Sequence, residues 1–266
     1  MPLPPYPDVV AYFERTGPTS FCATEHVSGA WEVSEQHIAP SLGLIAHCIE
    51  RDRDARRNDG LVIGRLSYDI LGTVPVADVE VETRVLRPGR TIELAEATMT
   101  HAGRAIVVAR AWLMATRDTS SVAASPLPGI PGPDQTPVWP ASEVWPGGFI
   151  ESVEVRRAQD EPGRAHFWVR TGLPLVDGEE VSPLARVAGL LDISNGMTVR
   201  HDPRQVAFPN VDLTAHFFAD PDPDWIGFDT SVSFGASGIG VTTSVLHAPA
   251  GPIGVSSQFL TVRPLG

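Results

Sequence analysis

Residues 79–99, VEVETRVLRPGRTIELAEATM, and residues 226–246, IGFDTSVSFGASGIGVTTSVL, carry one pattern twice. Val79, Val81, Thr83 and Val85 alternate with polar residues, as do Ile226, Phe228, Thr230 and Val232, which is the period-two signal of a half-buried strand. Each run reaches a turn, Arg87-Pro88-Gly89-Arg90 or Gly235-Ala236-Ser237-Gly238, and resumes as a second strand. An offset of 147 carries Leu66 to Leu213, Thr83 to Thr230 and Met99 to Leu246 without a gap. Beyond the next turn a one-residue insertion aligns Gly103 with Gly251 and Val107 with Val255. The chain is therefore read as an internal duplication.

Outward from these strands, each copy is preceded by a helical stretch, residues 34–53 and 182–195, with Pro40 or Pro183 near its start. Ser182-Pro183 reads as an N-cap followed by a first-turn proline. A further strand follows in each copy, 105–115 and 253–262. Between the copies, residues 125–148 hold seven prolines, which neither a helix nor a central strand tolerates. The expected organisation is a first unit over 1–124, a proline-rich linker over 125–148 and a second unit over 149–266. One helix and then an antiparallel meander, given twice, is an α+β design.

Composition narrows the function. Net charge is −12, and the densest basic stretch, Arg51–Arg57, is interleaved with Asp52 and Asp54, so nucleic acid and anionic membrane are not expected partners. All 20 basic residues are arginine, which excludes Schiff-base, pyridoxal-phosphate and P-loop lysine chemistry. Cys22 and Cys48 are too few for a disulfide framework and read as buried thiols. With no long apolar run and no signal-like segment in Met1–Pro7, the expected location is cytoplasmic. No G-x-S-x-G elbow is present. The run Gly235–Gly240 lacks the strand–helix context of a dinucleotide fingerprint, and the eight histidines lack ligand spacing, so neither cofactor nor metal is expected.

A helix followed by "RPG-R" at 87–90 and "GRAIVVARAWLMA" at 103–115 resembles the hotdog fold, an antiparallel sheet wrapped around one long helix. Two such units ending in "GPIGVSSQFLTVRP" at 251–264 resemble the acyl-CoA thioesterase II family of double-hotdog hydrolases. The resemblance implies a tandem hotdog that hydrolyses acyl-CoA to fatty acid and CoA, and a homo-oligomer of such protomers is compatible with it. It also implies a water-activating triad: Asp192 in "AGLLDISNG", Ser233 in "DTSVSFGAS", where the family more often has Thr, and Gln258 in "VSSQFLTVR". In "VDLTAHFFADPD" at 211–222, Phe218-Ala219 stands where the family commonly carries His-Arg.

The residues can be weighed without the resemblance. Leu184, Val187, Ala188 and Leu191 form one apolar stripe, and on a continuous helix Asp192 sits at its edge, partly desolvated and more basic than usual. "DISNG" also reads as a helix stop in which Asp192 bonds local backbone. Gln258 shares a strand face with Ser256, Leu260 and Val262 and needs a polar partner there. Arg186, Arg200 and Arg204 are candidates for the CoA phosphates, and Trp139 and Trp145 for the cover of an acyl tunnel. Two other functions remain open. One is a non-catalytic acyl-CoA binder. The other is an enoyl-CoA hydratase or dehydratase, which needs a helix-start histidine that residues 182–186 do not offer.

Overall fold

The computed structural model describes residues 11–29, 31–222 and 224–266; the Met1–Pro7 segment lies outside them. The elements run β1 (Phe13–Arg15), β2 (Ser20–Ala23), α1 (Ile38–Arg56), β3 (Val62–Ile70), β4 (Val79–Arg87), β5 (Ile92–His101) and β6 (Arg104–Met114). The second half holds α2 (Gly148–Glu151), β7 (Val153–Glu161), β8 (Arg164–Thr171), α3 (Pro183–Ala188), α4 (Ser194–Met197), β9 (Val206–Ala207) and β10 (Asp212–Phe217). It closes with β11 (Ile226–Phe234), β12 (Ile239–Ala248), β13 (Gly251–Thr261) and β14 (Arg263–Pro264).

Twelve strands form one antiparallel sheet in the order β1-β2-β4-β5-β6-β3-β10-β13-β12-β11-β8-β7. The 147-residue offset maps β4, β5 and β6 onto β11, β12 and β13 at both ends of each strand. The one-residue insertion expected in the turn before Gly103 is absent, and Arg104 rather than Gly103 corresponds to Gly251. Leu94 pairs with Trp112 just as Val241 pairs with Phe259, and both hairpins bulge at the same place, after Met99 and after Leu246. The halves join where β3 meets β10, with Ser67 opposite Thr214, two positions that the offset itself relates. A local two-fold therefore passes through that pair, and the sheet runs across the seam without an edge.

The helices differ. α1 buries Ala39, Leu42, Ile45, Ala46 and Ile49 against the sheet, then emerges in a charged last turn, 50–56. Pro40 is tolerated because its missing N–H lies in the first turn, where no intrahelical acceptor exists. The second long helix expected over 182–195 is not formed. Ser182 caps α3 as expected, its hydroxyl accepting the Ala185 N–H at 3.0 Å, but α3 ends at Ala188. After Gly189 the chain makes a 3₁₀ turn at Leu191–Ile193 and then the short α4. The sheet therefore wraps one long helix and one broken one.

The proline-rich stretch runs along the second half. Trp139 N–H donates to Val155 O at 2.9 Å and Arg157 N–H to Pro137 O at 2.8 Å, so it covers the outer edge of β7. Trp168 Nε1 donates to Pro131 O at 2.8 Å, and His247 Nε2 to Pro128 O at 3.0 Å.

α1 and α3 cross at Gly43 and Gly189. A Cβ on Gly43 would stand 2.8 Å from Gly189 Cα and 2.9 Å from Ala185 O, and neither backbone atom can yield without moving a helix. Gly43→Ala is expected to cost about 1–3 kcal/mol, the usual range for overpacking, read as a lowered denaturation midpoint. Gly129→Ala is the control, since nothing lies within 4 Å of its Cβ position. Equal midpoints for the two variants would remove the crossing as a constraint.

Candidate active site

The break after Gly189 decides where Asp192 lies. On a continuous helix it would sit at the border of the apolar stripe; in the 3₁₀ turn it is carried inward and is 6% exposed. Its Oδ1 accepts two side-chain amides, Asn210 Nδ2 at 2.6 Å and Gln258 Nε2 at 2.9 Å. Gln258 is fully buried on the inner face of β13, and its Oε1 accepts the Ser194 hydroxyl at 2.7 Å. An ionised carboxylate only accepts, so the NH2 end of the amide faces Asp192 and its oxygen takes the Ser194 hydroxyl. Asn210, in the segment that leads into β10, is held by a second bond from Nδ2 to Asp212 O at 3.1 Å. Asp192 Oδ2 has no partner among the described residues and is left for the cavity in front of it.

Both donors are neutral and neither is a cation. Desolvation therefore outweighs them, and the Asp192 carboxyl is pushed up from 3.8 to about 7. A carboxylate with this value, one oxygen tied and the other free, is suited to take a proton from water near neutral pH.

The cavity, of about 460 Å³, opens between the two halves. The first half contributes Gln36, His37, Ile38 and residues 70–74; the second contributes Trp145, Ile150 and the turn from Asp192 to Met197. Its wall is mostly apolar. Trp31, Trp145 and Phe208 meet edge to face beside it, with ring centroids 4.9 to 6.0 Å apart, and Trp145 Nε1 is anchored on Gly196 O at 2.8 Å. Glu32, Glu35 and Arg263 also line it.

The structure brings Asp192 and Gln258 together and leaves Ser233 apart. Thr230 and Val232 point into the core, so Ser233, at the opposite parity, is exposed on the outer face of β11. The third group at the carboxylate is Asn210, which the sequence reading missed. The nominated arginines are also displaced. Arg200 donates to Pro162 O at 3.2 Å, Arg204 pairs with Asp202 at 3.1 Å, and Arg186 borders a separate small recess. Arg263, exposed on β14, is the arginine at the cavity. Trp145 lines it, whereas Trp139 packs under Arg157, 4.2 Å from ring centroid to guanidinium carbon. Among the described residues no cluster of His, Cys, Asp and Glu has the spacing of a metal site, and no helix is long and apolar enough to cross a membrane.

Residues 27–114 match the model of the acyl-CoA thioesterase N-terminal domain, and residues 131–262 that of the C-terminal domain. No curated protein sequence matches. Among solved structures, a conserved protein of unknown function with a hot dog fold from Alicyclobacillus acidocaldarius superposes with a TM-score of 0.75 at 16% identity, over 95% of this chain and 96% of that one. A tesB protein from Mycobacterium avium subspecies paratuberculosis gives 0.67 at 17% identity, over 95% and 96%. An acyl-CoA thioesterase II, TesB2, from Mycobacterium marinum gives 0.65 at 14%, over 96% and 95%. At such identities these structures share the fold with this chain.

Ionisation of Asp192 carries a stability signature. Unfolded, the carboxyl releases its proton near 3.8; folded, it keeps it to about 7. Between those values the folded chain binds the extra proton, so this group's contribution to stability falls as pH rises through the window. Asp192→Asn keeps an acceptor for both amides and removes the buried charge. Its melting temperature is expected to exceed the parent's at about pH 8, with the gap closing towards about pH 4. A gap independent of pH would mean that Asp192 titrates normally.

Proposed function

The chain belongs to the acyl-CoA thioesterase family, and from that premise we propose that it hydrolyses acyl-CoA with a single water activated by Asp192, at one site per chain. One observation carries the reading: a buried carboxylate with a pKa of about 7 in the wall of a mostly apolar cavity, its Oδ1 held by Asn210 and Gln258 and its Oδ2 without a partner among the described residues.

In this scheme Oδ2 accepts a proton as water attacks the thioester carbonyl carbon, while the amides of Asn210 and Gln258 hold the carboxylate in one orientation. A thioester is activated enough to need no covalent intermediate, in keeping with the lack of a nucleophile elbow in the sequence. The acyl chain lies along Ile38, Ile70, Leu71 and Trp145. The CoA phosphates gather at the mouth near Arg263, the cation that lines it. The first half has no counterpart of the two amides, since the 147 offset sets Ile63 opposite Asn210 and Ala111 opposite Gln258, both buried in the core.

Thiol release from a panel of acyl-CoAs tests the reading. Asp192→Asn is expected to lower kcat by roughly 10²–10⁴-fold, the range for a lost acid–base group. Ser233→Ala should leave turnover at the parent's level, because the hydroxyl faces away from the site. Below about pH 7, kcat/KM should fall tenfold per unit as Asp192 gains its proton, and level off above. Arg263→Ala should raise KM and spare kcat. Parental activity in Asp192→Asn would end the proposal, and saturable binding without thiol release would leave an acyl-CoA binder in its place.

A further inference from the structure

His37 stands in the wall of the cavity that holds Asp192, and the scheme above gives it no task. We propose that His37 is a catalytic residue which, as a neutral imidazole, donates its Nε2–H to the thioester carbonyl oxygen while the water at Asp192 attacks the carbon. This rests on the thioesterase reading and deepens it.

Three constraints define the state of the ring. His37 is the N-cap of α1, and its Nδ1 accepts the Ala39 N–H at 3.2 Å. A nitrogen that accepts carries no proton, so the neutral ring holds its hydrogen on Nε2. Burial pushes the imidazole down to about 3, and the positive end of the α1 dipole also disfavours a second proton. The plane is set by Phe149, whose ring centroid lies 4.4 Å away. Nε2 itself has no partner among the described residues. It is a fixed donor without an acceptor, on a wall that is otherwise mostly apolar.

The two sides of the cavity are complementary. Asp192 Oδ2 accepts and His37 Nε2–H donates, one from each half of the chain. Addition of water to a carbonyl needs that pair, a base at the nucleophile and a donor at the oxygen. The other ionisable groups lining the cavity are Glu32, Glu35 and Arg263. Water loses a proton to Asp192 as its oxygen bonds the carbonyl carbon, and the carbonyl π pair moves onto the oxygen held by His37. On collapse the C–S bond breaks with its electron pair on sulfur, and Asp192 returns the proton to that sulfur. The products are a carboxylic acid and CoA thiol. His37 keeps its own proton throughout, because the nitrogen able to take another is occupied by the backbone.

The test is His37→Asn in the full chain. Asn is a strong N-cap whose carbonyl can still accept from Ala39, so α1 should keep its start, but the side chain is too short to present a donor to the carbonyl. Expected are a kcat lowered by roughly 10²–10³-fold, as for a lost oxyanion donor, KM within about threefold, an unchanged melting temperature and an unchanged ionisation near pH 7. His37→Gln, which offers an N–H at longer reach, should recover part of the loss. Parental turnover in a folded His37→Asn overturns the assignment. Loss of the pH 7 ionisation in that variant overturns it too, by making the imidazole the base. Conversion of a 2-enoyl-CoA to a 3-hydroxyacyl product by the parent would do the same, as the sign of a hydratase. Should the parent release no thiol from any acyl-CoA, the thioesterase reading fails first and the assignment falls with it, a result visible before any His37 variant is made.

Discussion

Two helical segments packed closely enough to touch by their backbones set the position of the candidate site. Gly43 of α1 and Gly189 beyond α3 leave no room for a Cβ between them, so the start of α1 is pressed against the segment that follows α3. That contact sets residues 36–38 across from residues 192–197, and the cavity is the gap left between them. The same Gly189 ends α3, and the chain that leaves it turns inward and takes Asp192 with it. Close packing and the placement of the carboxylate are thus one structural event. A side chain at Gly43 would press on the backbone of residues 185–189, the segment that leads to the acid.

Two carboxylates in the chain show how much the choice of partner matters. Glu179 meets two cations, Arg15 at 2.5 Å and Arg51 at 2.6 Å, and the His47 ring at 2.8 Å, and it is held down to about 2. It is a fixed negative charge and ties α1 to the loop ahead of α3. Asp192 has amide donors only, and desolvation prevails over them. The pair of amides orients the acid without cancelling its basicity. An arginine in place of Asn210 or Gln258 would have satisfied the buried charge better and taken the base away.

The duplication and the three-strand meander in each copy, β4–β6 and β11–β13, were legible in the sequence because alternation with period two and a constant offset are local signals. The same alternation argued against Ser233. If Thr230 and Val232 face inward, residue 233 cannot, and the family resemblance prevailed over a parity that the residues themselves displayed. Asn210 left no such signal, since it lies in an irregular approach to β10, where no periodicity orients a side chain. The broken helix was hidden for a related reason: Leu184, Val187, Ala188 and Leu191 keep a helical stripe although the helix stops between the third and the fourth. Arg186, Arg200 and Arg204 lie near Asp192 in sequence, whereas Arg263 reaches the cavity through the pairing of β14 with β9, a contact made across more than fifty residues. His37 caps the first helix, whereas the helix start read for a histidine was that of the second, residues 182–186.

The duplication explains why one half could change. Both halves need a helix against the sheet, and α1 meets that need with an unbroken apolar face. With Ile63 and Ala111 at the positions of Asn210 and Gln258, those two positions offer no donor to a buried carboxylate, and the helix of the first half runs unbroken. In the second half, the amides and the break occur together, and either alone would be costly. Amides without the acid would be buried donors lacking an acceptor, and the acid without them would be an unsatisfied charge. The local two-fold at Ser67 and Thr214 then sets the polar end of the broken helix against the intact start of α1. A site assembled this way belongs to neither half. Its acceptor comes from the helix that broke and its opposing donor from the cap of the helix that did not.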